Sequence, residues 1–201
     1  MNERAAAVSD NSRRTHTWAA GWVTSVALVE GGEWAVSGSY DRTVKLWDVA
    51  HRKHKHTFSD HTGSVTKVVA HGTMVASASN DMTVNLFDIR ARKKVRTITH
   101  KHPVSALVFS DDGSLVVSGT HDGTLEAHAT KNGKRAAEFE GHGNEIRDLC
   151  LRDGVLASAS SDKTCRTWGL DDGTRTKPVG WKTGGLGGGV DLASGMDADV
   201  E

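Results

Sequence analysis

The chain has 201 residues, enough for one domain with a buried core. It carries 25 Lys and Arg against 25 Asp and Glu, so its formal charge is zero and no overall field favours nucleic acid or a membrane surface. The N-terminus is charged where a signal peptide needs an apolar run, and no segment approaches the roughly 18 apolar residues of a membrane span. We therefore expect a soluble intracellular protein, cytoplasmic or nuclear.

A repeat follows a short N-terminal segment, 1–14, which we expect to be a flexible tail. The segments SGSYDRTVKLWD, SASNDMTVNLFD, SGTHDGTLEAHA and SASSDKTCRTWG align without a gap, and their aspartates lie 40, 41 and 40 residues apart. A fixed period of this length predicts a repeat architecture. Each unit also contains four short segments of strand character separated by Gly, Asp or Asn, which predicts four β-strands joined by hairpin turns.

These units resemble WD repeats, and the resemblance covers roughly residues 15–180. It implies an all-β protein, a β-propeller built of four-stranded antiparallel blades. The four predicted blades are about 15–58, 59–98, 99–139 and 140–180. We expect residues 181–201 to form a Gly-rich, acidic, flexible tail. Its glycine run lacks the Gly-Lys-Ser/Thr ending of a phosphate-binding loop, so no cofactor is predicted.

The number of visible blades is low for a propeller, which typically closes a ring of about four to eight. An open set would leave apolar faces on its first and last sheets. Three explanations stay open: a small propeller, a partial propeller that closes its ring by self-association, and part of a longer protein. We favour the third, because both ends of the chain look unlike WD blades.

The resemblance also implies a buried relay in each blade, in which a His, a Ser or Thr, an Asp and a Trp are hydrogen-bonded. Only the fourth unit has all the members, namely His142, Ser160, Asp162 and Trp168. The other matching positions are Ser39, Asp41 and Trp47, then His61, Ser79 and Asp81, then His100, Thr120 and Asp122. Ala19, Phe87 and His128 stand where a member is missing. Because these sets recur at a fixed period without a Gly-x-Ser-x-Gly elbow, we interpret them as structural and the protein as non-catalytic.

Partners of such propellers usually bind where the channel opens, beside the start of each first strand and the relay turn. The predicted partner-binding residues are Trp22, Thr24, Tyr40, Asn80, His121, Glu145 and Arg147. Trp22 and Tyr40 are of the types enriched at binding hot spots. The alternative for Trp22 is packing against Trp18 at an unclosed edge.

Three functions follow from these patterns. The first is a protein–protein interaction scaffold, with partners of unknown identity. The second is a substrate receptor of a cullin-RING ubiquitin ligase, because the second unit resembles the box with which such receptors bind the ligase adaptor, through Phe87, Asp88 and Arg90. The third is an RNA- or ribosome-associated WD protein, motivated by basic loops near residues 52–55 and 90–96. We favour the scaffold over nucleic-acid binding, because basic residues on edge strands also discourage edge pairing.

Two further residue types have ordinary interpretations. Cys150 and Cys165 have no metal-ligand spacing, and we expect them to be buried thiols of a protein in a reducing compartment. The histidines at 51, 54, 56 and 61 do not make a tetrahedral set with a Cys or a carboxylate, so no metal site is predicted.

Overall fold

The computed structural model describes residues 20–29 and 31–170, together with the backbone of 179–182. Its strands form four antiparallel sheets of four strands, and each sheet keeps the chain order. Blade one contains β1 (Val23–Leu28), β2 (Trp34–Ser39), β3 (Val44–Asp48) and β4 (Lys53–Phe58); blade two contains β5 (Val65–His71), β6 (Met74–Ser79), β7 (Thr83–Asp88) and β8 (Lys93–Thr99). Blade three contains β9 (Val104–Phe109), β10 (Leu115–Thr120), β11 (Leu125–Ala129) and β12 (Arg135–Phe139); blade four contains β13 (Ile146–Arg152), β14 (Val155–Ser160), β15 (Thr164–Gly169) and β16 (Val179–Lys182).

The predicted all-β class and the four-stranded blades are confirmed. β16 extends to Lys182, so residues 181 and 182 belong to the fourth sheet and not to the predicted C-terminal tail. Residues 1–14 and 183–201, the rest of the two predicted tails, lie outside the described residues. Within the described part of the chain there is no helix long and apolar enough to cross a membrane.

The turn between the second and third strands has the same backbone conformation in all four blades. In blade one, the backbone N–H of Arg42 donates to the carbonyl of Ser39, and Arg42 has a φ of 71°. Met82 and Lys163 take the same left-handed conformation in blades two and four, and Gly123 takes it in blade three. The aspartate one residue earlier accepts hydrogen bonds from the threonine one residue later, which stabilises this uncommon backbone.

The core lies between successive blades. We call the face of a blade that packs on the preceding blade its front face, and the opposite one its back face. Val65 and Val68 on the front face of blade two lie directly over Gly38 on the back face of blade one, and Ile146 of blade four lies over Gly119 of blade three. A side chain at either glycine would occupy the space of the next blade, which explains why the smallest residue stands there.

On the innermost strands, a polar contact joins the two blades at each of the three junctions between successive blades. The second residue of β1, β5 and β9 has a side-chain hydroxyl that donates to the carbonyl of the first residue of the next blade. These contacts are Thr24 to Val65 at 2.7 Å, Thr66 to Val104 at 2.6 Å and Ser105 to Ile146 at 2.5 Å. The hydroxyl satisfies a carbonyl at the junction and fixes the height of one blade against the next.

The arc of four blades does not close on itself, because β13 and β1 do not pack together as neighbouring innermost strands do elsewhere in the described chain. The front face of blade one therefore exposes Val23, Val26 and Leu28. The back face of blade four exposes Cys150 and Cys165. The expectation of buried thiols is wrong, because both cysteines lie on the face that a fifth blade would cover.

Candidate partner-binding site

The relay of blade four runs from the core to the turn. The indole N–H of Trp168 donates to Ser158 Oγ at 2.9 Å, and Ser158 Oγ lies 2.8 Å from His142 Nε2. His142 Nδ1 lies 2.7 Å from Asp162 Oδ2. Since the carboxylate accepts only, the geometry assigns the proton to Nδ1 and makes Nε2 the acceptor for the serine hydroxyl.

The serine of the relay is not the one predicted from the sequence. Ser160, two residues beyond Ser158, accepts a hydrogen bond from the backbone N–H of Asp162 and donates to the carbonyl of Asn144. Ser39 and Ser79 accept from the turn aspartate in the same way, whereas the hydroxyl of Thr120 donates to the carboxylate of Asp122. The imidazole lies above the middle of the second strand, so the earlier hydroxyl reaches it and the later one supports the turn.

Blade two keeps the relay without a tryptophan. His61 Nε2 lies 2.7 Å from Ser77 Oγ, and His61 Nδ1 lies 2.8 Å from Asp81 Oδ2. Burial alone would raise the pKa of Asp81, but hydrogen bonds from Thr83, His61 and a backbone N–H outweigh it and lower the pKa to about 2. Burial lowers the pKa of His61 in spite of the nearby carboxylate. The pair is therefore a neutral imidazole donating to an ionised aspartate.

Blade three replaces the relay aspartate with a residue that the sequence did not indicate. His100 Nδ1 lies 2.7 Å from Glu126 Oε2 on β11, and the turn aspartate Asp122 is bound by Thr120 and Thr124 instead. The contact of His100 is close but poorly aligned, since its Nδ1 has no acceptor at a hydrogen-bonding angle. Contact with His100 outweighs burial and lowers the pKa of Glu126 to about 2.

The missing tryptophan of blade three leaves two imidazoles around this glutamate. His128 Nε2 lies 3.8 Å from Glu126 Oε2, and the buried His128 Nδ1 has no hydrogen-bond partner among the described residues. Burial, and next the charge of His100, lower the pKa of His128. The three side chains lie close enough to ligate one metal ion. However, Arg135 is 3.1 Å from the other oxygen of Glu126, so the carboxylate already faces a cation and fits the role of a relay acceptor better.

Blade one is the least complete. Trp47 Nε1 donates to Ser37 Oγ at 2.9 Å, which repeats the first step of the blade-four relay. The carboxylate of Asp41 accepts from the backbone N–H of Ala20 and from Thr43. Ala19, which stands in the position of the histidine, lies outside the described residues.

All seven predicted partner-binding residues line one cavity at an end of the channel, with a volume of about 500 Å³. Blade one supplies an aromatic wall, since the rings of Trp22 and Tyr40 lie 5.9 Å apart and Trp22 is 80% exposed. Blade four supplies a charged wall, where Arg147 is 2.7 Å from Glu145. His121 of blade three lies 3.4 Å from Glu145. Trp18, the other predicted contact of Trp22, lies outside the described residues.

The three residues of the predicted ligase-adaptor box have different surroundings. Phe87 is fully buried and packs on Phe58 of blade one, with ring centroids 4.5 Å apart. Asp88 accepts hydrogen bonds from the backbone N–H groups of Arg90 and Ala91. Only Arg90 is exposed. A partner at this position would therefore contact Arg90, while Phe87 and Asp88 hold the strand end in place.

Comparison with known proteins gives one consistent result. The family model for the WD domain, G-beta repeat, matches residues 11–48, 52–88, 92–126 and 133–169. The target of rapamycin complex subunit LST8 of Saccharomyces cerevisiae is 32% identical over 76% of this chain and 54% of its own length. The human F-box and WD repeat domain containing protein 10B is 34% identical over 75% of this chain and 20% of its own length.

A solved structure, that of the computationally designed Ika4 protein, superimposes with a TM-score of 0.70 at 26% identity. The match covers 78% of this chain and 94% of the designed one. The chain spans about half of the length of LST8 and a fifth of the length of the human F-box protein.

Proposed function

Because the chain belongs to the WD-repeat family, we propose that it is a non-catalytic scaffold that binds a segment of another protein at the channel opening. The observation that carries this proposal is that one cavity brings together residues from all four blades. The Ser, His and Asp side chains that resemble a catalytic set are engaged with one another in the relays, and His142 is buried. They support the walls of the cavity and leave binding to the residues around its rim.

The two walls of the cavity suggest the chemistry of the segment. An apolar side chain would pack on Trp22 and Tyr40, which offer a large rigid surface at low cost in side-chain entropy. Polar groups next to it would meet Asn80 and the pair of Glu145 and Arg147 on the opposite wall. We therefore expect an extended segment with one aromatic or aliphatic anchor beside polar or charged residues.

A peptide display library selected on the purified chain tests this proposal. The selected peptides should share an apolar anchor, and Trp22→Ala should weaken their binding by about tenfold or more, as expected of a hot-spot residue. Because Trp22 is exposed, this variant should melt at the wild-type temperature. Arg90→Ala, an exposed substitution away from the cavity, serves as the matched control and should bind normally. If selected peptides bind the Trp22→Ala and Tyr40→Ala variants as well as the wild type, the channel opening is not the binding site.

A second candidate is a role as a substrate receptor in a ubiquitin ligase. It is supported by the likeness to two human proteins named for an F-box and WD repeats, and by the exposed Arg90 at the end of blade two. Pull-down with purified adaptor proteins of cullin-RING ligases is the direct test. Binding that is lost in Arg90→Ala but kept in Trp22→Ala would support this role, and no binding by the wild type would refute it.

A further inference from the structure

The front face of blade one is built like the front faces of the other blades, but no described blade packs on it. Val23, Val26 and Leu28 are 54%, 71% and 67% exposed. The matching residues are Val65, Val68 and Ala70 in blade two, Val104, Leu107 and Phe109 in blade three, and Ile146, Leu149 and Leu151 in blade four. All of these are buried except Ala70, which is half-buried. The exposed apolar residues of blade one thus occupy positions that a preceding blade normally covers.

The back face of blade four likewise exposes residues that a following blade covers in the other three blades. Its residues Val155, Ala157 and Cys165 are exposed. The residues that match Ala157 and Cys165 are Val36 and Val44 in blade one, Ala76 and Val84 in blade two, and Val117 and Leu125 in blade three, and all are fully buried. Each end face therefore exposes apolar residues at positions that a neighbouring blade covers elsewhere in the described chain, whereas stacked repeats normally end in polar capping faces.

We propose that the back face of blade four packs on the front face of blade one in a second copy of this chain, and that two copies close an eight-blade ring. This inference does not rest on the proposed function. A second copy supplies both missing faces at once, and these same two kinds of face already meet three times within each chain. Two head-to-tail contacts related by a twofold axis leave no end face exposed.

The polar contacts at the junctions fit the same arrangement. Within the chain, the hydroxyls of Thr24, Thr66 and Ser105 each donate to the first carbonyl of the next blade. At the matching position blade four has Arg147, whose guanidinium can likewise donate a hydrogen bond. In the closed ring Arg147 would face the carbonyl of Val23 of the second copy.

The molar mass in solution, measured by light scattering after gel filtration, gives the first test. We expect twice the chain mass of 21.5 kDa. Val26→Asp should produce a monomer with unchanged circular dichroism, because Val26 is exposed within one chain and only the dimer buries it. The matched control is Val95→Asp, since Val95 is an exposed valine of β8 away from both end faces, and this variant should remain a dimer.

Cross-linking tests the pairing of faces. Gly119 and Ile146 lie in direct contact at the junction of blades three and four, and their matching residues at the proposed interface are Ala159 and Val23. In a background with both native cysteines changed to serine, the double variant Val23→Cys, Ala159→Cys should oxidise to a covalent dimer and no larger species. Neither single variant should cross-link.

Three results would overturn the proposal. A monomeric wild type at the highest concentration measured would mean that further blades or terminal residues, and not a second copy, cover the end faces. A dimer that survives Val26→Asp would use another surface. A ladder of covalent oligomers from the double cysteine variant would show that the contact is head-to-tail but does not close with two copies.

Discussion

Replacing the relay aspartate of blade two by alanine should cost far more stability than replacing the turn aspartate of blade three. The carboxylate of Asp81 accepts hydrogen bonds from His61, from the hydroxyl of Thr83 and from the backbone N–H groups of Thr62 and Thr83. In Asp81→Ala the buried Nδ1–H of His61 loses its carboxylate acceptor and keeps only the more distant hydroxyl of Thr83, at 3.2 Å. A buried donor without a good acceptor costs about 1–3 kcal/mol. The lowering of the Asp81 pKa from 3.8 to about 2 corresponds to about 2 kcal/mol at neutral pH, in agreement with that range.

Asp122→Ala is the matched control, because blade three, like blade two, has a blade on each side. Its carboxylate is bound by Thr120 and Thr124 and by no buried imidazole. After the substitution the hydroxyl of Thr120 keeps the carbonyl of Thr124 as an acceptor, so we expect a loss of about 1 kcal/mol or less.

Urea unfolding followed by circular dichroism measures the two losses. Asp81→Ala should lower the free energy of unfolding by about 2 kcal/mol, and with it the melting temperature by roughly 2–4 °C per kcal/mol for a domain of this size. Equal losses for Asp81→Ala and Asp122→Ala would refute the reasoning, because they would show that the turn and not the imidazole contact determines the cost.

Two other predictions concern acid and packing. The folded-state pKa values of Asp81 and His61 are both lowered, so the unfolded chain binds more protons in acid than the folded chain does. The contribution of His61 to the free energy of unfolding should therefore decline as the pH falls below about 6.5. The contribution of Asp81 should decline as the pH falls from about 4 to 2. In a plot of unfolding free energy against pH, Asp81→Ala should reduce the slope between about pH 4 and pH 2. An unchanged slope in this range would contradict the lowered pKa of Asp81. Gly119→Ala should destabilise by about 1–3 kcal/mol, because its Cβ would lie 2.6 Å from Ile146 Cγ2, whereas Gly143→Ala meets no atom within 4 Å. Thermal melts of the two variants compare these costs directly, and equal melting temperatures would contradict the packing argument.

The architecture follows from the sequence because it repeats. The 40-residue period and the turn aspartates locate the blades, since each unit must place its apolar strands and its hairpin turns in the same order. The exposed end faces also follow from the number of repeats, because an open set of four blades leaves the first and last sheets without a neighbour. The seven cavity residues come together as predicted because they occupy equivalent positions in blades that share one axis.

The details that the sequence did not provide depend on three-dimensional distances. Ser158 and Ser160 are the same residue type two positions apart on one strand, so an alignment does not say which hydroxyl lies under the imidazole. Glu126 lies in a strand, four residues after the turn aspartate, and its role appears only when β11 is placed beside His100. One signal was present, because Glu126 is an acidic residue at a position held by Lys45, Asn85 and Arg166 in the other blades.

The substitute acceptor in blade three separates two tasks that a single aspartate performs in blades two and four. Glu126 supports the buried imidazole from within the sheet, so Asp122 is left as a partly exposed residue at the rim of its blade. Changes at that turn can therefore alter the surface without disturbing the interior. In blades two and four the same change would also remove the acceptor of a buried histidine.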